Sequence, residues 1–81
     1  MFYYVYLIRS IEYQEITYVG HTINLQQRLE THNSGGSIHT KKNRPWTLVV
    51  CVAFKDMNCA KQFEQYLKSQ SGRAFAKKRF W

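Results

Sequence analysis

The chain has 81 residues, room for one domain, and its 12 Lys and Arg against 5 Asp and Glu leave a net charge of +7. With 44% hydrophobic and 16% aromatic residues it carries too much apolar material for a disordered segment. No apolar run approaches the roughly 18 residues of a membrane span. Met1–Tyr6 has neither a basic leader nor a cleavage site of small residues, so a cytoplasmic protein with no membrane attachment is expected.

Residues 2–9 are β-branched and aromatic and predict a first strand, apolar on both faces and therefore central. A short polar link at 10–14 predicts a hairpin to a second strand at 15–20. Asn24 caps a helix from Leu25, in which Leu25, Arg28, Leu29 and His32 recur at helical spacing. Residues 33–37 (Asn-Ser-Gly-Gly-Ser) end it and open a loop through Pro45, long for so small a domain and of the kind that carries function. Trp46–Phe54 predicts the third strand. Asp56 or Asn58 caps a second helix with the apolar stripe Ala60, Phe63, Tyr66 and Leu67. Gly72 is expected to break that helix, and Arg73–Trp81 to form a short third one with Phe75 and Phe80 inward. The order β-β-α-β-α, with a last α, describes an α+β domain: a small, mainly antiparallel three-stranded sheet flanked by helices. Cys51 and Cys59 form no CxxC pair and the three histidines are scattered, which favours free thiols and disfavours a zinc site.

Four features strain a bland reading. Arg28 and His32 share the core-facing stripe of the first helix; either Arg28 snorkels to water or it meets an anion in a cleft. Glu64 borders the stripe of the second helix, where it is an exposed partner of Lys68 or Lys61, or a carboxylate for a divalent cation. Tyr4, Tyr6 and Tyr18 lie on strands, where tyrosines ordinarily pack. No acid falls between Glu30 and Asp56 or after Glu64, while Lys41, Lys42, Arg44, Lys68, Arg73 and Lys77 do. Such runs are solvated surface or a track for a phosphate backbone.

Taken in order, Tyr4-Val5-Tyr6, Tyr18-Val19-Gly20, Arg28, His32 and Glu64 resemble the motifs of the GIY-YIG nuclease superfamily across essentially the whole chain, residues 1–81. The ending Tyr66–Phe75 is similar to small stand-alone bacterial members that look like the nuclease domain of the excision-repair subunit UvrC. Tyr4 departs from the pattern, standing where the name motif has Gly. No Asn follows Asn58, where many larger relatives carry one.

The resemblance implies a metal-dependent endonuclease acting on DNA, with RNA also open, and no organic cofactor. Tyr6 or Tyr18 would take the proton from an attacking water. An unperturbed phenol has a pKa of about 10, so positive charge from Arg28 and a cation is expected to lower it. Arg28 would hold the phosphate, Glu64 would ligate one Mg²⁺ or Mn²⁺, and His32 would orient or contact phosphate. His21 follows the second motif, and its part as a base or a nucleic-acid contact stays open. Lys41, Lys42, Arg44, Lys68, Arg73 and Lys77 would bind the nucleic acid. Two alternatives remain: a module of this fold that binds nucleic acid without cutting, and a small structural or interaction domain.

Overall fold

The computed structural model describes every residue from Met1 to Trp81. The elements run β1 (Tyr3–Ser10), β2 (Thr17–Thr22), α1 (Leu25–Ser34), β3 (Trp46–Phe54), α2 (Met57–Lys68) and α3 (Gln70–Arg79), with a 3-10 turn over Lys41–Asn43. The α+β class and the order of elements are those read from the sequence. The strands make one antiparallel sheet in the order β2-β1-β3. β1 is central, as its two apolar faces require: Val5, Tyr6, Leu7 and Ile8 are all fully buried.

β2 begins two residues later than its polarity suggested. The Ile16 N–H donates to the Tyr13 carbonyl and the Tyr13 N–H to the Ser10 hydroxyl, so the chain closes a turn before the ladder starts. The strand then runs on through His21 and Thr22, because Val5 and Tyr4 stand opposite them. On the other side of β1 the register slips. Leu7 faces Val50 and Ile8 faces Leu48, which leaves Val49 as an extra residue on β3.

The two-residue period of a strand sorts the side chains onto two faces. Val5 and Leu7 pack on Ala60, Leu67 and Ala76 of α2 and α3, with Val19, Val50, Phe54 and Phe63 around them. The other face carries Tyr6 and lies under α1 and the loop that follows it. Asn24 caps α1 as expected, its side chain accepting from the Gln27 N–H at 3.1 Å. Gly35, at a φ of +87°, closes the helix. Asn33 then donates to the Trp46 carbonyl and accepts from the Trp46 N–H, pinning the last turn of α1 to the start of β3.

Asp56, not Asn58, caps α2, and the break after that helix falls at Ser69, not at Gly72. Ser69 serves both helices. Its N–H donates to the Tyr66 carbonyl, and its hydroxyl accepts from the Gly72 N–H. Gly72 sits in the first turn of α3, where a Cβ would run into the Tyr66 carbonyl and stand 2.7 Å from Leu67 Cα. The missing side chain lets α3 close onto the end of α2. The row Gly72–Ala76–Phe80 faces inward at i, i+4 spacing, so Phe75 falls off it and is partly exposed. Tyr66 also turns outward and lies between the Phe63 and Phe75 rings. Cys51 and Cys59 are free, and no helix is long and apolar enough to cross a membrane.

Candidate active site

Tyr6 leaves the central strand on the α1 side, opposite Gly20 of β2. A Cβ on Gly20 would lie 2.6 Å from Tyr6 Cζ and 2.9 Å from Cε1, and closer still to the hydroxyl. Only glycine lets the ring lie across β2 and carry its hydroxyl over this edge strand. Several hairpin registers were compatible with the sequence. The one formed puts Ile8 opposite Tyr18 and Tyr6 opposite Gly20, so both tyrosines share a face. They meet at His32, whose imidazole centroid is 5.5 Å from the Tyr6 ring and 5.3 Å from the Tyr18 ring.

His32 is the one fully buried residue of α1. Its Nε2 is 2.7 Å from the Tyr6 hydroxyl and its Nδ1 is 2.6 Å from Thr40 Oγ1. Arg28, one turn earlier, donates from Nε to the same hydroxyl at 3.3 Å. Burial, then the Arg28 charge, push the His32 pKa below its ordinary value, so the ring is neutral at pH 7. Arg28 can only donate, so the phenol oxygen accepts from it. A neutral His32 can bridge Tyr6 and Thr40 in either tautomer, and in one of them the phenol hydrogen goes to Nε2 while the imidazole N–H on Nδ1 donates to Thr40. Arg28 is half-buried, and its protein partner on this stripe is the Tyr6 hydroxyl. Its two Nη groups make no hydrogen bond to protein.

The expected lowering of a tyrosine pKa is not found at Tyr6. Burial raises it first. The hydrogen bond and charge of Arg28 oppose this without winning, and Tyr18 and Glu64 add to the rise. Tyr6 is a neutral phenol at pH 7.

Glu64 arrives from the opposite face. His21 points to the α2 side of the same edge strand and meets Glu64 Oε1 through Nδ1 at 2.5 Å, while Lys68 Nζ donates to Oε2 at 2.8 Å. The i, i+4 partner expected of a plain surface glutamate is therefore present, with a second partner added. Burial works to raise the Glu64 pKa, but the Lys68 and His21 hydrogen bonds outweigh it and bring it below the usual carboxylate value. Lys68 also reaches round the strand, to 5.9 Å from the Tyr18 ring centroid. The site thus wraps the free edge of β2, with tyrosines, arginine and histidine on one side and the carboxylate on the other.

A sequence model of the GIY-YIG catalytic domain matches residues 2–79. The chain belongs to the GIY-YIG family. It is 43% identical over 74 residues to the structure-specific endonuclease subunit SLX1 of Debaryomyces hansenii, aligning 83% of this chain and 21% of that protein. It is 40% identical over 57 residues to a UPF0213 protein of Pediococcus acidilactici, aligning 67% of this chain and 58% of the relative. The chain thus spans about a fifth of that SLX1 relative and over half of the other. The solution structure of a UPF0213 protein from Bacillus halodurans superposes with a TM-score of 0.58 at 29% identity, covering 95% of this chain and 81% of that one.

GIY-YIG endonucleases generally depend on a divalent metal. Glu64 offers the ionised oxygen that a hard cation takes, and no three ligating side chains cluster around it. Such a donor set suits an ion that accepts one carboxylate and keeps water and phosphate oxygens for the rest.

The remaining basic residues of this GIY-YIG domain fall into two places. Lys41, Lys42 and Arg44 surround Ile38 on an open cavity of about 530 Å³ formed by the loop after α1. Lys68, Arg73 and Lys77 line a groove between β2 and α3. Sequence reasoning missed Thr40. It is fully buried beneath His32 and tied in by Trp46, whose indole N–H donates to the Thr40 carbonyl at 2.9 Å. A threonine in an irregular loop has no periodicity to mark it. The one available signal was that a buried histidine needs a partner for its second nitrogen.

Proposed function

We propose that this GIY-YIG domain is a divalent-metal-dependent endonuclease that hydrolyses phosphodiester bonds in DNA, with single-stranded or branched DNA as its substrates. The observation that supports this most is the Tyr6 hydroxyl held between a permanently charged guanidinium and a buried neutral imidazole. A phosphate docks on the free Nη groups of Arg28, which face no carboxylate. Tyr6 is fully buried until substrate arrives, so a water admitted to its hydroxyl as the phosphate docks attacks phosphorus and gives its proton to the phenol oxygen, while the phenol hydrogen moves to His32 Nε2. Thr40 holds the ring in the tautomer that can accept it. Arg28 stays in place as negative charge builds on the phosphate oxygens. Tyr18 packs edge-on against His32 and is half-buried. Glu64 would hold Mg²⁺ or Mn²⁺, whose chemistry there would be to polarise the phosphate and stabilise the departing oxygen.

Cleavage of labelled single-stranded, duplex and branched DNA, and of an RNA of matched sequence, in Mg²⁺, Mn²⁺ and EDTA tests the reading. Metal-dependent products are expected, lost in Glu64→Gln and reduced about 10²- to 10⁴-fold in Tyr6→Phe. Wild-type cutting by either variant removes that residue from the mechanism. One observation favours a domain that binds without cutting: both Glu64 oxygens already have protein partners. Tight DNA binding with no product in any metal would select that reading.

A further inference from the structure

We propose that the groove between β2 and α3 binds a single-stranded segment of nucleic acid leading away from the tyrosine site; its purpose rests on the nuclease reading, whereas the binding does not. The groove encloses about 850 Å³ and starts at Tyr18 and Lys68, so it opens directly from the site. Arg9, Arg73 and Lys77 line it against one side-chain carboxylate, Glu15, and none of the three pairs with an acidic side chain. Arg9 carries the strongest sign of a missing ligand. Its Nε is the one buried side-chain polar atom in the protein with no hydrogen-bond partner. Its Nη2 makes a single contact, at 3.5 Å, to a main-chain oxygen of Trp81. A buried guanidinium nitrogen without an acceptor is costly, and the neighbouring Nη1, which is not buried and has no protein partner, is open to a phosphate oxygen.

The rest of the groove selects the form of the polymer. Its floor is apolar, made by Val19, Leu67 and Ala76, and the Trp81 ring lies at the Arg9 end, 5.3 Å from the guanidinium carbon. Cations on the rim, an apolar floor and an aromatic ring suit a strand that turns its phosphates outward and its bases inward. A duplex keeps its bases stacked inside and would leave the floor and the ring unused.

The test needs no cleavage. In EDTA, a short oligothymidylate, a blunt duplex and an oligoglutamate are titrated while tryptophan fluorescence is read. Trp46 is buried, so Trp81 is the reporter. Oligothymidylate should quench saturably, and the affinity should fall steeply with salt. Arg73→Glu combined with Lys77→Glu, both on the exposed side of α3, should weaken it about tenfold or more. In Trp81→Phe the quench should vanish while a labelled oligothymidylate still binds. Absence of quenching, quenching that persists in Trp81→Phe, equal or tighter binding of the duplex, or saturation by oligoglutamate would each overturn the proposal. A protein that binds the oligonucleotide but cuts nothing keeps this inference and loses the nuclease reading. One that cuts with the groove unable to bind does the reverse.

Discussion

Gly20→Ala asks whether the position of the Tyr6 hydroxyl, and not only its presence, sets the rate. The new Cβ would stand 2.6 Å from Tyr6 Cζ, and an ordinary contact there is at least 3.4 Å, so the ring must move by about 0.8 Å. Tyr6 has no exposed surface and a full set of neighbours, so the ring lifts off β2 and takes its hydroxyl along. A shift of that size takes the hydroxyl out of place against both His32, now at 2.7 Å, and Arg28, now at 3.3 Å. A misplacement of this size costs about 10²-fold in rate, whereas overpacking costs about 1–3 kcal/mol of stability. The assay is single-turnover cleavage at saturating metal, with circular dichroism and a thermal melt to show that the variant is folded. If Gly20 acts by placing the hydroxyl, Gly20→Ala has no further effect on rate in a Tyr6→Phe background. A folded Gly20→Ala protein that cuts at the wild-type rate, or that slows Tyr6→Phe by the same factor, refutes the argument.

Thr40→Val removes the acceptor of the His32 N–H and leaves a buried donor unpaired, at about 1–3 kcal/mol; cleavage should fall with it, and Thr40→Ser should recover most of both. His32 must be neutral to accept a proton, and its pKa lies below the ordinary 6.5. The acid limb of the pH–rate profile should therefore lie below pH 6.5 and move in His32→Gln, a shift read by rate measurements across that range. The same group couples to stability. An unfolded chain takes up the proton first, so stability contributed by His32 is complete above 6.5 and declines as pH falls through the lower folded value, which thermal melts in that window will follow. Gly72→Ala should lower the melting temperature sharply and loosen α3, since the added methyl collides with backbone and not with a flexible side chain; an unchanged melt would show that α3 can slide.

The fold was legible where the chain states its own period. β1 announced itself as central through apolar residues on both faces, and β3 and the Asn24 cap were found at their true positions. The errors came where tertiary packing overrides a local rule. Gly72 reads as a helix breaker by propensity, yet it is the contact that lets two helices touch. Phe75 reads as core by hydropathy, yet the helical phase set by Ala76 turns it outward. Arg28 and His32 were visible as misfits on an apolar stripe, and the structure explains them through Tyr6. The tyrosine pairing hung on a register that the hairpin loop did not encode. The direction of the Tyr6 pKa could not be read at all, because it depends on how much surface the ring loses when the sheet and α1 close over it.

Tyr6 has one further consequence. It is at once among the most buried side chains of the protein and the group at the centre of the proposed chemistry, while its neighbours Val5 and Leu7 point only into the core beneath α2. Tolerance to substitution along β1 should therefore beat with a period of two. Val5 and Leu7 can exchange among aliphatic residues of similar volume, whereas Tyr6 has no replacement that serves both duties. A lineage of such domains could rebuild one side of its central strand freely while the other stayed frozen, and a scan that scored only folding would miss the rhythm that a scan of activity reveals.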